Sequence, residues 1–140
     1  MKADQVGALC VRRRDDGSCQ VLLITSRDTG RWVIPKGWRA KGLKDHEAAA
    51  REAEEEAGVS GTVKSKPIGN YTYPKIDETG ARTLRVAVFV LVVRQERNHW
   101  PEQGQRRRAW FDVREAVKEV GESGLRTLIK GVEHLRALPT

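Results

Sequence analysis

The chain has 140 residues, 39% of them hydrophobic and 32% charged, with a formal net charge of +7. That length suits one domain (1–140) with a proper core, and the charge balance points to anionic partners. No stretch approaches the ~20 apolar residues of a membrane span, and the start, MKADQVGAL, lacks a signal peptide's apolar run, so no membrane association and a cytoplasmic location are expected.

Val6 to Arg13 and Gln20 to Ser26 are apolar, β-rich runs joined by Arg14–Ser18, in which Asp16-Gly17 is a hairpin signal. Pairing the strands about that dipeptide sets Cys10 near Leu23 and away from Cys19, so no disulfide is expected. With no Cys-x-x-Cys and no Cys/His grouping, a zinc site is not expected either. Arg31 to Pro35 reads as a short strand feeding a glycine-containing loop. Lys44 or Asp45 is the expected N-cap of a helix through Ala48-Ala49-Ala50, and Gly58 is placed to end it in the left-handed region. Thr62 to Tyr73 should be extended, with turns at Pro74-Lys75 and Asp77 to Gly80. Leu84 to Val93 is apolar on both faces of the alternation and reads as a central strand covered on both sides. Asn98 to Gln105 is a loop, and Ala109 to Phe111 a last short strand. Asp112 then caps a short helix, with Glu115 completing a capping box. Leu125, Leu128, Ile129, Val132 and Leu135 form the apolar stripe of a closing helix. This order suggests an α+β fold, with a mixed sheet layered between helices.

In the first helix Glu52, Glu55 and Glu56 fall at i, i+3 and i+4, so an α-helix puts three carboxylates on one face. Lys36, Arg39, Lys41 and Lys44 precede them. Hard oxygen ligands suit Mg²⁺ or Mn²⁺, ions that bridge a few carboxylates to substrate phosphates. A cationic loop beside a carboxylate face is what metal-assisted work on a polyphosphate needs. The plainer alternative is a solvated acidic helix. The clusters Arg12–Arg14 and Arg106–Arg108 read first as solvated strand ends or turns, and second as nucleic-acid contacts.

The segment Gly37 to Val59, GWRAKGLKDHEAAAREAEEEAGV, resembles the Nudix box of the MutT-like hydrolases, G-x5-E-x7-R-E-U-x-E-E-x-G-U with U apolar. Gly37, Arg51, Glu52, Ala53, Glu55, Glu56, Gly58 and Val59 match at the right spacing, whereas Leu43 replaces the first glutamate. The resemblance implies the Nudix fold, an α/β/α sandwich, over roughly residues 5–137. It implies that Glu52, Glu55 and Glu56 hold the metal, with a carbonyl at Gly37 as a further ligand. Arg51 would hold one of the box glutamates, and Glu47 is placed to replace the support lost at Leu43. Glu54 would face solvent.

A general base from a box glutamate or from Glu102 in the later loop is implied next. Lys36, Arg39 and Lys41 would touch phosphate, Trp38 would stack on a base or cap the site, and Trp110 would pack against the C-terminal helices. The run Arg31–Trp38, with Pro35-Lys36-Gly37, is similar to the diadenosine polyphosphate and diphosphoinositol polyphosphate phosphohydrolase branch. The substrate implied is therefore a small polyphosphate of one of those kinds. The alternatives are a nucleoside triphosphate or RNA 5′ end, or a non-catalytic sensing or nucleic-acid-binding module.

Overall fold

Alternation along β1 (Gln5–Arg13) divides the strand between two apolar layers, Val6, Ala8 and Cys10 on one side and Leu9 and Val11 on the other. The computed structural model describes residues 2–135. β1 runs antiparallel to β2 (Cys19–Thr25) and parallel to β7 (Gly80–Glu96), so the sheet is mixed, as expected. β3 (Trp32–Val33) and β8 (Arg108–Asp112) pair with β2, while β5 (Val59–Val63) and β6 (Gly69–Asp77) pair with β7. One face carries α1 (Asp45–Glu52), which lays Ala48 and Ala49 on Phe89 and Leu91. The other carries α2 (Val113–Glu119) and α3 (Ser123–Val132), whose Leu125, Ile129 and Val132 are fully buried. The result is three layers, helix, sheet and helices.

β7 is the central strand the apolar run predicts, but it is longer, extending from the hairpin tip at Gly80 to Glu96. The end of the expected fold range, residues 136 and 137, lies outside the described residues.

Several expectations change in detail. The β1–β2 loop closes through Arg14 N–H to Ser18 O at 2.8 Å and Gly17 N–H to Arg14 O at 2.9 Å, with Gly17 at φ 87°. This three-residue loop with a left-handed glycine pairs Val11 with Val21 and moves the register by one from that expected about Asp16-Gly17. Cys10 and Cys19 are both free and lie in opposite layers. Lys36–Trp38, expected as loop, forms strand β4 against Gln5–Gly7 of β1. Pro74-Lys75 is not a turn. Pro74 sits within β6 opposite Thr83, on a strand that pairs on one side only, where a missing N–H is tolerated. The capping box at Asp112 does not form, because its carboxylate accepts from Gln20 Nε2 at 3.1 Å instead. Trp110 lies opposite Leu22 and shares its layer, the α1 face, rather than packing against α2 and α3.

Candidate active site

The acidic helix does not stay α-helical to its end. Gly58 N–H reaches back to both Glu54 O and Ala53 O, so Ala53–Ala57 forms a π-helical turn. Such turns are rare and recur at functional sites. A wider turn advances each residue by less than the α-helical angle, which changes which glutamates meet. Glu52 and Glu56 face one cleft, close enough for each to influence the other's ionisation. Glu55 is turned aside, half exposed, with its carboxylate 4.0 Å from Arg51 Nε. The single carboxylate face read from α-helical spacing is therefore a pair plus an outlier. Glu54 is half-buried rather than fully exposed, and does not line the cleft.

Gly37 explains how Glu52 fits. A Cβ on Gly37 would lie 2.5 Å from the Glu52 carboxyl carbon and 2.6 Å from each oxygen. Its φ is not positive, so the glycine is needed for space and not for backbone conformation. What approaches that backbone is the Glu52 carboxylate. Glu56 meets the same strand, accepting the Lys36 backbone N–H at 3.2 Å. Burial pushes the Glu56 carboxyl up to about 7, outweighing Arg106 and the Lys36 N–H, which pull it down. Burial also raises Glu52, with Glu55 adding to the effect.

The loop between β7 and β8 closes the other side. Glu102 N–H bonds Glu55 O at 3.1 Å, and Trp100 Nε1–H bonds Glu56 O at 3.2 Å. Arg108 lies 3.9 Å over the Trp100 ring and donates to Ala57 O at 2.8 Å and Arg97 O at 2.6 Å. The bonds to Glu55, Glu56 and Ala57 satisfy carbonyls that a helix end leaves without partners. Arg106 is the central residue. Its Nε sits 2.8 Å from Glu102 Oε1, its Nη2 3.7 Å from Glu56 Oε2, and its Nη1 donates to Thr25 O at 3.1 Å. With its side chain only 10% exposed, Arg106 is a buried bridge between two carboxylates. The sequence gives no spacing signal for it, since Glu56 lies fifty positions away; only a basic residue near Glu102 in the same loop hinted at it.

The cleft encloses about 680 Å³ and is also lined by Gln5, Arg27, Arg31, Tyr73 and Lys75, none of them evident from the box. Of the residues expected on phosphate, Lys36 and Arg39 line it, while Lys41 is exposed outside it. Lys36 places its ammonium 4.9 Å over the Tyr73 ring, with no carboxylate in salt-bridge range among the described residues, and burial lowers its pKa. Arg39 pairs with Asp45 at 2.9 Å. Lys44 is the N-cap of α1 and lines a second, shallower cleft with Lys2 and His46. Glu47 does not support Arg51 as suggested; its Oε1 accepts the Lys44 N–H at 2.9 Å. Leu43, where the box has a glutamate, packs on the α1-side apolar layer.

Among the described residues no three His, Cys, Asp or Glu groups close into a ready metal cage. Two carboxylates side by side still fit a magnesium-type ion, which is usually bound through one or two carboxylates plus substrate phosphates and waters. Gathering buried carboxylates is unfavourable without a counter-charge, and a hard cation supplies one.

A family profile described as NUDIX domain matches residues 2–131. The chain is similar to "Nudix hydrolase 13, mitochondrial" of Arabidopsis thaliana, 34% identical over 109 residues, covering 74% of this chain and 54% of that protein. It is also similar to diphosphoinositol polyphosphate phosphohydrolase 3-beta of Bos taurus, 33% identical over 114 residues, covering 79% of this chain and 66% of that one. In fold it matches the solved C. elegans Ap4A hydrolase with a TM-score of 0.65 at 18% identity, over 98% of this chain and 100% of that one. The chain thus spans between about half and two thirds of the length of the curated relatives named here. Among the described residues no helix is long and apolar enough to cross a membrane.

Proposed function

The chain belongs to the NUDIX family, and from that premise we propose that it hydrolyses a phosphoanhydride bond with Mg²⁺ or Mn²⁺. The observation that carries the reading is the pairing of Glu52 and Glu56 in one cleft, beneath a wall that includes Lys36, Arg39, Arg51 and Arg106. Glu52 and Glu56 would hold the metal, with a carbonyl at Gly37 as a further oxygen and Glu55 behind them. When bound, the metal would neutralise phosphate oxygens and favour ionisation of a water. Lys36, which makes no salt bridge among the described residues, would take a phosphate oxygen, and Arg39 would take one at the rim. Arg51 would steady Glu55. Arg106 keeps Glu102 and Glu56 at fixed positions while cancelling part of their charge.

Glu102 is our candidate for accepting the proton of the attacking water. Its carboxylate lines the cleft and is held by Arg106, with Arg27 4.0 Å away. Glu102→Gln is expected to lower turnover by roughly 10²-fold or more while leaving metal affinity unchanged. Unchanged turnover would remove Glu102 from the chemistry and leave the role to a box glutamate.

The substrate proposed is a dinucleoside polyphosphate or a diphosphoinositol polyphosphate, in keeping with the names of the relatives and the cationic cleft. Chromatographic analysis of the products formed from dinucleoside polyphosphates, nucleoside triphosphates, a 5′-triphosphorylated RNA and inositol pyrophosphates, with and without Mg²⁺, tests the reading. Metal-dependent cleavage of at least one anhydride is expected. Binding without hydrolysis of any of them would leave a sensing module instead.

A further inference from the structure

The carbonyls of Glu55, Glu56, Ala57 and Gly58 are each taken by a donor from the segment after β7. Glu102 N–H reaches the first at 3.1 Å and Trp100 Nε1–H the second at 3.2 Å. Arg108 Nη1–H takes the third at 2.8 Å and Arg97 N–H the fourth at 2.8 Å. A solvated helix end needs no such set, because water satisfies its last carbonyls. Gly58 lets the donors come close: a Cβ there would lie 2.6 Å from Trp100 Cδ2 and 2.8 Å from Arg108 Nη1. Arg108 is itself anchored, its backbone paired with Ile24 of β2 and its Nη2 donating to Arg97 O at 2.6 Å. Its guanidinium lies 3.9 Å over the Trp100 ring.

The turn held in this way is π-helical, and its sequence, Ala-Glu-Glu-Glu-Ala, consists of residues that favour a regular α-helix. The cause of the wider turn therefore lies in its surroundings. Neither Trp100 nor Arg108 lines the cleft, so neither is placed to touch a substrate. We propose that Trp100 and Arg108 are positioning residues, which hold Ala53–Ala57 in its π-helical turn and so bring Glu56 beside Glu52 and set Glu55 aside. Without them the segment closes as an α-helix. Each residue then advances by a larger angle, and the Glu56 carboxylate leaves the Lys36 N–H and Arg106 that now receive it. The consequence for metal binding rests on the hydrolase reading above; the consequence for the turn does not.

The test uses the full chain carrying Trp100→Phe and Arg108→Met together, which keep bulk against Gly58 but remove the donors to Glu56 O and Ala57 O. Arg12→Met, which breaks the other close stack, on Trp110 at 4.1 Å, is the control. A crystal structure of the metal-free double variant is expected to show residues 53–57 α-helical and Glu56 withdrawn from the Lys36 N–H. Mn²⁺ affinity, measured by electron paramagnetic resonance without substrate, should fall roughly tenfold to a hundredfold, the scale for lost support behind metal ligands. Arg12→Met should not move it. Should the double variant fail to fold, Trp100→Phe alone removes a single N–H and should shift the affinity in the same direction by less. A retained π-helical turn overturns the proposal, as does a Mn²⁺ affinity equal to the wild type's. A lower melting temperature with turn and affinity intact would leave the two residues as supports of the fold only. A rewound turn in a protein whose wild type cleaves no anhydride would sink the hydrolase reading and leave the positioning of Glu56 standing. Metal-dependent cleavage by the wild type, with the turn retained in the variants, would do the reverse.

Discussion

Glu56→Gln is expected to lower metal-dependent hydrolysis by about three orders of magnitude while leaving the protein folded. Lewis-acid stabilisation by a bound metal amounts to several kcal/mol, and each 1.36 kcal/mol corresponds to about tenfold in rate. The amide has nearly the shape of the carboxylate, and its oxygen can still accept the Lys36 N–H now bound at 3.2 Å. It loses the charge that attracts a cation and the pairing with Arg106. Because burial disfavours a charged Glu56, the variant's thermal stability in EDTA should be equal to or above the wild type's. Magnesium titration by calorimetry with single-turnover assays checks both halves. Near-normal turnover would mean that Glu56 holds no metal, and the assignment of the cleft would fall with it.

Gly37→Ala is the second large expected effect, and it separates space from backbone strain. The new methyl would occupy the position of the Glu52 carboxylate, 2.5–2.6 Å away, yet the backbone at residue 37 is one that alanine can adopt. The flexible carboxylate yields, not the sheet. Folding should therefore survive, with activity reduced at least about a hundredfold, as expected when a charged group is displaced from the reacting centre. In a double-mutant cycle Gly37→Ala and Glu52→Gln should be strongly non-additive, since each removes the same carboxylate from the same place. Simple additivity would show that Gly37 serves something other than Glu52.

What the residues announced in advance was local. The hairpin at Asp16-Gly17, the helix ending at Gly58 with φ 69°, and the apolar run Leu84–Val93 each rest on turn chemistry or periodicity within a short window. The box segment was legible for the same reason, because its fixed spacings lie on one helix and the loop before it. The unread parts depend on distant partners or on small departures from ideal geometry. The π-helical turn that sets Glu55 aside has no signature in Ala-Glu-Glu-Glu-Ala, which an α-helix accommodates equally well. Arg106 looked like one of three adjacent arginines at a strand end until the sheet brought it to Glu56. The layer of Trp110 is not legible in the sequence, because which face a strand residue takes depends on its register with a partner, here Leu22.

The parallel pairing of β1 with β7, Gly7 beside Val88, has a consequence for synthesis. Contacts between segments so far apart in the chain form late, because a long loop must close before they offer any return. As the polypeptide leaves the ribosome, the acidic helix emerges well before the arginine that neutralises it. The pairing of Glu56 with Arg106 can therefore close only once residue 106 has been made.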